Sequence, residues 1–148
     1  MNEKNKRLAQ ILTYSGTFPL ILCCIGLYFN VDFIDLKRIA STYAILIISF
    51  LSGLHWATYL FFSEKCPQNL LITSNVIALL AWGSFYIAQH TLAFSLQLAC
   101  FLCILILDSN LKNAGVLPLW FYKLRRNATL ILSLVFIIII LKMHGKIS

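Results

Sequence analysis

The chain has 148 residues, of which 60% are hydrophobic and 11% charged, with a formal net charge of +7. Soluble domains carry about 25% charged residues, so a water-soluble globular domain is excluded. Nucleic-acid binding goes with it, because the basic residues are scattered among helix ends instead of gathering on one soluble face.

Five apolar stretches fill the chain, at 8–29, 39–62, 70–88, 92–107 and 128–143. A hydrocarbon core about 30 Å thick asks for ~20 helical residues, and shorter spans are accommodated by thinning or snorkelling. The expected fold is an all-α integral membrane protein. It is a single membrane domain over 1–148: a bundle of five transmembrane helices plus a short interfacial helix before the last span. There is no repeat, low-complexity tract or linker.

The first stretch follows Lys4, Lys6 and Arg7. It resembles a signal peptide, but it is longer than the usual apolar region and no small-x-small cleavage site follows, so an uncleaved span is expected. Pro19 sits mid-span and cannot donate to the carbonyl of Ser15, which predicts a kink. Gly16 and nearby hydroxyls suit the relief of the freed group.

The second stretch is the most informative. Ser49, Gly53 and Ala57 recur every four residues and form a small-residue stripe that another helix backbone could approach closely. Trp56 fills space beside it. Ser52, His55 and Tyr59 form a second, polar face. With two faces wanting protein neighbours, this helix is expected at the centre of the bundle.

The third stretch carries Thr73, Ser74 and Asn75 near its start, with Trp82, Gly83 and Ser84 further on. The short turn Gln89-His90-Thr91 makes the third and fourth stretches an antiparallel hairpin. Gln97 is the one amide inside the fourth. Between the fourth and fifth, the segment 117–126 has Leu117, Trp120, Phe121 and Leu124 on one face, and Lys123 and Arg126 on the other. This predicts an interfacial helix, with Trp120, Tyr122, Lys123 and Arg126 as its headgroup anchors. The fifth stretch is almost wholly Leu, Ile, Val and Phe and should face lipid.

The basic residues give an orientation. Lys4, Lys6, Arg7, Lys65, Lys112, Lys123, Arg125 and Arg126 fall on one side, against Lys37, Arg38, Lys142 and Lys146 on the other. The positive-inside rule then places the N-terminus in the cytoplasm and the C-terminus outside.

An ionisable side chain within a span is costly and marks a functional hypothesis. His55 is such a group. Asn75 is expected at similar depth, Asp108 ends the fourth span on the same side, and Arg125 begins the fifth. A candidate polar pocket is therefore His55, Ser52, Asn75, Asp108 and Arg125. The bland alternative is structural: His55 bonded across a helix interface, and Asp108 paired with Lys112, Arg125 or Arg126, since a carboxylate at a helix C-terminus wants a cation.

No catalytic motif, metal set or cofactor site is expected. Cys100-x-x-Cys103 is a single pair without further ligands, and Cys23, Cys24 and Cys66 add no zinc pattern. His55, His90 and His144 lie at different depths, so no pair including His55 opposes across one haem.

Several of these stretches together resemble a known family of small membrane proteins, the domain of unknown function 3429, which includes transmembrane protein 69-like proteins. The resemblance rests on Gly16-Thr17-Phe18-Pro19, on Tyr43-Ala44, and on Ser49-Phe50-Leu51-Ser52-Gly53-Leu54-His55-Trp56. Further on it rests on Asp108, on the run from Gly115 through Leu117-Pro118-Leu119-Trp120 to Arg125, and on Thr129. Ser52 and Phe121 depart mildly from the family pattern, which usually has Gly and Tyr there. The resemblance implies a five-helix protein of bacterial inner membranes or, in eukaryotes, of mitochondria. It puts weight on Pro19, Gly53, His55, Trp56, Asp108, Trp120 and Arg125, and it implies no activity.

The expected role is a non-enzymatic accessory or assembly subunit of the bacterial cytoplasmic membrane. Its partners would be the lipid bilayer, other membrane proteins or a second copy of itself. The alternative location is the mitochondrial inner membrane. The alternative function is a small transporter or proton-coupled carrier with His55 as the titrating group. An enzyme acting on a lipid or quinone through His55 and Asp108 is the weakest reading.

Overall fold

The computed structural model describes residues 2–31 and 34–145. Lys146, counted above in the charge balance, lies outside them. The described residues form helices without strands, 83% helix in all. They are α1 (Glu3–Ser15), α2 (Phe18–Tyr28), α3 (Leu36–Phe62), α4 (Leu70–Ser84), α5 (His90–Asn113) and α6 (Leu119–Met143). Four segments among them are long and apolar enough to cross a membrane: Glu3–Tyr28, Leu36–Lys65, His90–Asn113 and Leu119–Met143.

Local chemistry sets the helix ends. Asp35 and Asn69 cap α3 and α4, accepting from the backbone N–H of Arg38 and of Leu71, each at 3.0 Å, which satisfies amides a helix start leaves unpaired. Gly115 ends α5 with φ of +72°, a left-handed conformation that suits glycine. Its N–H bonds the Lys112 carbonyl, and the N–H of Val116 bonds that of Leu111, closing the helix end in a Schellman arrangement.

The first apolar stretch is interrupted at Gly16 and Thr17, which both keep right-handed helical dihedrals. α1 stops at Ser15 and α2 starts at Phe18, with Pro19 in its first turn, where a missing N–H costs little. The hydroxyl of Thr17 bonds the Tyr14 carbonyl at 2.7 Å, and the Tyr43 hydroxyl reaches from α3 to the Gly16 carbonyl at 3.0 Å. These hydroxyls go to the carbonyls on either side of Ser15, not to the Ser15 carbonyl itself, and one of them comes from another helix.

Two expected boundaries are corrected. The third stretch is a helix only from Leu70 to Ser84, 15 residues or ~22 Å, below a full crossing. Beyond it the N–H groups of Phe85, Tyr86 and Ile87 turn back to carbonyls three residues earlier, which winds the chain tightly toward α5. The separate interfacial helix is absent: Leu119–Met143 is one rod of 25 residues, and 119–126 are its first two turns. No Gly or Pro interrupts this stretch. Arg125, expected at the beginning of the fifth span, is buried against Asp108 within the continuous helix.

α3 packs against α2, α4 and α5, α6 packs against α5, α2 and α1, and α4 against α5. The core is aliphatic with an aromatic centre, where Phe94 and Phe101 both meet Phe136 edge-on. The central position expected for α3 is not distinguished: α3 packs against three helices, as α5 and α6 do, and is less buried than either. Ser49 and Gly53 are exposed, Ala57 is half-buried, and nothing lies within 4 Å of a Cβ added at Gly53. At Gly53 the stripe therefore makes no close contact with its own chain and opens on a cleft shared with α4, and Trp56 beside it is also exposed.

Candidate functional site

Three helices each deliver one ionisable group to the same point in the bundle. His55 lies two turns before the end of α3, Asp108 near the end of α5, and Arg125 two turns into α6. They are 1%, 1% and 7% exposed. The Asp108 carboxylate joins the other two. His55 Nε2 bonds Oδ1 at 2.8 Å, and Arg125 Nε bonds Oδ2 at 2.8 Å. A carboxylate oxygen accepts, so Nε2 of His55 carries the hydrogen that it donates to Asp108.

The arrangement answers two electrostatic problems at once. The Asp108 carboxylate sits where the α5 dipole is negative and needs a cation. The Arg125 guanidinium, removed from water, needs an anion. The same contact fixes chain direction: α3 and α5 bring their C-terminal halves to the level where α6 begins. α4 and its following turn must therefore carry the chain back across the bundle.

The triad is not fully satisfied. His55 Nδ1 and Arg125 Nη2 are buried without a hydrogen-bond partner, as are the hydroxyls of Ser52 and Ser74. Two clefts flank it. One, of about 170 Å³, is bordered by Arg125, Thr129, Thr17, Phe50 and Leu51. The other, of about 210 Å³, lies between α3 and α4 and is bordered by Ser49, Ser52, Gly53, Trp56, Ser74 and Asn75. On α3 the His55 direction falls between the sides bearing Leu51 and Ser52, at ~100° per residue, so the triad stands between the two clefts.

Of the five residues expected in one polar pocket, His55, Asp108 and Arg125 come together. Ser52 is buried a turn from His55 but bonds to nothing. Asn75 does not join them. It is exposed on the far side of the second cleft, and its amide bonds the Leu71 carbonyl of its own helix at 2.8 Å. Thr73-Ser74-Asn75 sweeps ~200° of helix surface, and it is Ser74 that faces inward.

The headgroup anchors divide. Lys123 and Arg126 are exposed, while Trp120 and Tyr122 are half-buried against neighbouring side chains. The Lys112 ammonium lies 4.8 Å from the Tyr122 ring centre, a cation–π contact. Cys100 is buried, with its thiol 3.8 Å from the Ile77 carbonyl, and Cys103 is exposed. Among the described residues no three His, Cys, Asp or Glu side chains converge as a metal site would require.

A second polar layer went unrecognised in the sequence. The Gln97 amide nitrogen donates to Ser41 Oγ on α3 at 2.7 Å and to Ser84 Oγ on α4 at 2.8 Å. Ser84 passes its own hydrogen to the Ala81 carbonyl at 2.6 Å. Gln97 as the one amide of its apolar stretch was the available signal. Its partners are 56 and 13 residues away, and nothing local names them. Along α5 the two polar layers are 11 residues, ~16 Å, apart.

The family model for proteins of unknown function DUF3429 matches residues 5–141 of the chain. No curated protein and no solved structure matches it.

Proposed function

The chain belongs to the DUF3429 family, and on that premise we propose that it is a small accessory or assembly subunit of the bacterial cytoplasmic membrane, without catalysis of its own, acting through contacts with other membrane proteins or lipid. One observation carries this reading: the stripe at Ser49 and Gly53 is left open, next to buried hydroxyls of Ser52 and Ser74 that have no partner. In lipid, helices associate where small residues let backbones approach and where polar groups find partners across the interface. A partner helix seated on this face would supply both.

Five crossings fit this reading. The antiparallel run of α3, α4, α5 and α6 supports counting α4, with the turn at 85–89, as a fifth crossing. The basic collar at one end supports a cytoplasmic N-terminus and an external C-terminus. The shared His-Trp and Leu-Pro-x-Trp elements support kinship with the transmembrane protein 69-like members.

The test is cross-linking in intact membranes from a photoreactive residue placed at Gly53, with one at Leu134 on the exposed side of α6 as the control. A discrete adduct at Gly53, either a second copy or one defined membrane protein, and none at Leu134 supports the reading. Lipid adducts alone at both positions would remove it.

The alternative, a proton-coupled carrier, has its own observation in the unpaired Nδ1 of His55 beside two unpaired hydroxyls. Proteoliposomes containing a pH-sensitive dye test it. Proton flux abolished in His55→Gln, with normal insertion, supports the carrier, and flux equal to empty vesicles excludes it.

A further inference from the structure

Arg125 has two faces. Its Nε is committed to Asp108, Nη2 is buried without an acceptor, and the residue borders the cleft of about 170 Å³ enclosed by α1, the turn at Gly16 and Thr17, α3, α5 and α6. Among the described residues it is the one charged side chain on that cleft, and the rest of the lining is apolar apart from Thr13, Thr17 and Thr129. An orphaned charged donor against an apolar wall is costly. The arrangement is explained if an acceptor arrives from outside the chain.

The cleft says what kind. Leu12 and Phe50 on its border are 62% and 65% exposed and belong to segments long and apolar enough to cross a membrane, so an acyl chain can approach it from the side. A volume near 170 Å³ matches apolar cavities that take a benzene-sized group and falls short of the ~300 Å³ where drug-sized pockets begin. It suits the head-proximal end of one chain. The surroundings are basic: Arg7, one turn before Leu12, and Lys123 and Arg126, beside Arg125, are all exposed. Each such cation near a membrane surface favours anionic lipid by about 1 kcal/mol.

We propose that this cleft is a lateral binding site for an acidic amphiphile. An oxygen of its head accepts from the Arg125 guanidinium, and the first carbons of its chain lie along Leu51, Phe50 and Leu132. The shared chemistry is an anionic oxygen on an acyl chain, as borne by an anionic phospholipid or a free fatty acid. The site gives a ligand class to the lipid contacts proposed above, and it would stand even if no protein partner docks at Gly53.

The full-length protein in mild detergent is titrated with dioleoyl phosphatidylglycerol, dioleoyl phosphatidylcholine or oleic acid, and bound molecules are counted by native mass spectrometry. One phosphatidylglycerol or one oleate is expected to be retained, the retained species naming the source, while phosphatidylcholine is lost. Leu12→Trp obstructs the cleft at its border without touching the triad, and Arg125→Lys keeps the charge beside Asp108 but drops the guanidinium fork. Each should weaken retention about tenfold, the scale of one lost charge-assisted hydrogen bond. If Arg125→Lys fails to fold, Leu12→Trp decides alone. Equal retention of all three amphiphiles, or unchanged retention in a monodisperse Leu12→Trp, overturns the proposal. Cross-linking at Gly53 reads the partner hypothesis independently.

Discussion

Arg125 and Asp108 are 17 residues apart on consecutive helices, and their side chains meet inside the bundle with Nε 2.8 Å from Oδ2. This contact lets a charged residue enter the apolar interior on a continuous helix. It also holds α5 against α6 at the level where α3 brings His55.

Removing either partner strands the other. Asp108→Leu should lower stability by about 3–5 kcal/mol, the usual result of leaving a buried charge unpaired. The double variant Asp108→Leu/Arg125→Leu should lose much less than the two single changes combined. Thermal unfolding in detergent, followed by size-exclusion fluorescence, measures both, and additive losses would show that the pair is not coupled.

His55 offers a graded test. Gln can place an amide N–H where Nε2 stands, so His55→Gln should stay within about 1 kcal/mol of wild type. His55→Leu, which deletes the donor to one carboxylate oxygen, should cost about 1.5–3 kcal/mol. The same unfolding assay ranks them, and equal losses would mean that shape rather than the hydrogen bond holds α3 to α5.

The second polar layer should matter less. Interhelical hydrogen bonds in membrane proteins average about 0.6 kcal/mol, so Gln97→Leu, which removes two of them, should cost about 1 kcal/mol. That change also deletes a buried carbonyl oxygen that has no partner, which reduces the loss further. Chemical denaturation in mixed micelles would reveal a larger role if the loss exceeded that of His55→Leu.

Two glycines should respond oppositely to alanine. A Cβ at Gly26 would lie 2.6 Å from Leu36 Cδ1, so that side chain must move, and Gly26→Ala should destabilise by about 1 kcal/mol. At Gly53 there is open space, and alanine should be neutral or gain up to about 1 kcal/mol from helix propensity. If Gly53→Ala leaves the monomer intact yet abolishes the cross-link from a photoreactive residue at the neighbouring Ser49, the stripe is an interface with another chain.

Cys66 lies between α3 and α4, and partial burial pushes its thiol above the ordinary range. The thiolate is the reactive form, so maleimide labelling at Cys66 should be slower than for a free thiol at pH 7. It should keep rising with pH past the point where a free thiol levels off. Labelling from one side only, at elevated pH, would also fix the membrane face of this loop. A pH profile identical to that of free cysteine would show the thiol to be fully solvated.

Hydropathy made the helical, membrane-type character of the chain legible from sequence, because an apolar run of this length has few other stable states. Periodicity marked the polar face of α3 that carries Ser52 and His55, both buried. The rarity of charge inside apolar spans singled out His55, and the expected depth of the span ends brought Asp108 and Arg125 to the same side. What sequence left open was rotation and range. Thr73, Ser74 and Asn75 are adjacent polar residues, and which one points inward depends on how α4 is turned against α3. Whether 119–126 lies flat at the interface or begins a spanning helix depends on whether Arg125 finds an anion, and that anion sits on another helix. Gln97 chose partners that chain distance does not indicate. Side-chain chemistry and spacing decide which segments become helices and which groups must be answered. Only the packing of those helices decides what answers them, because the competing partners differ in position rather than in kind.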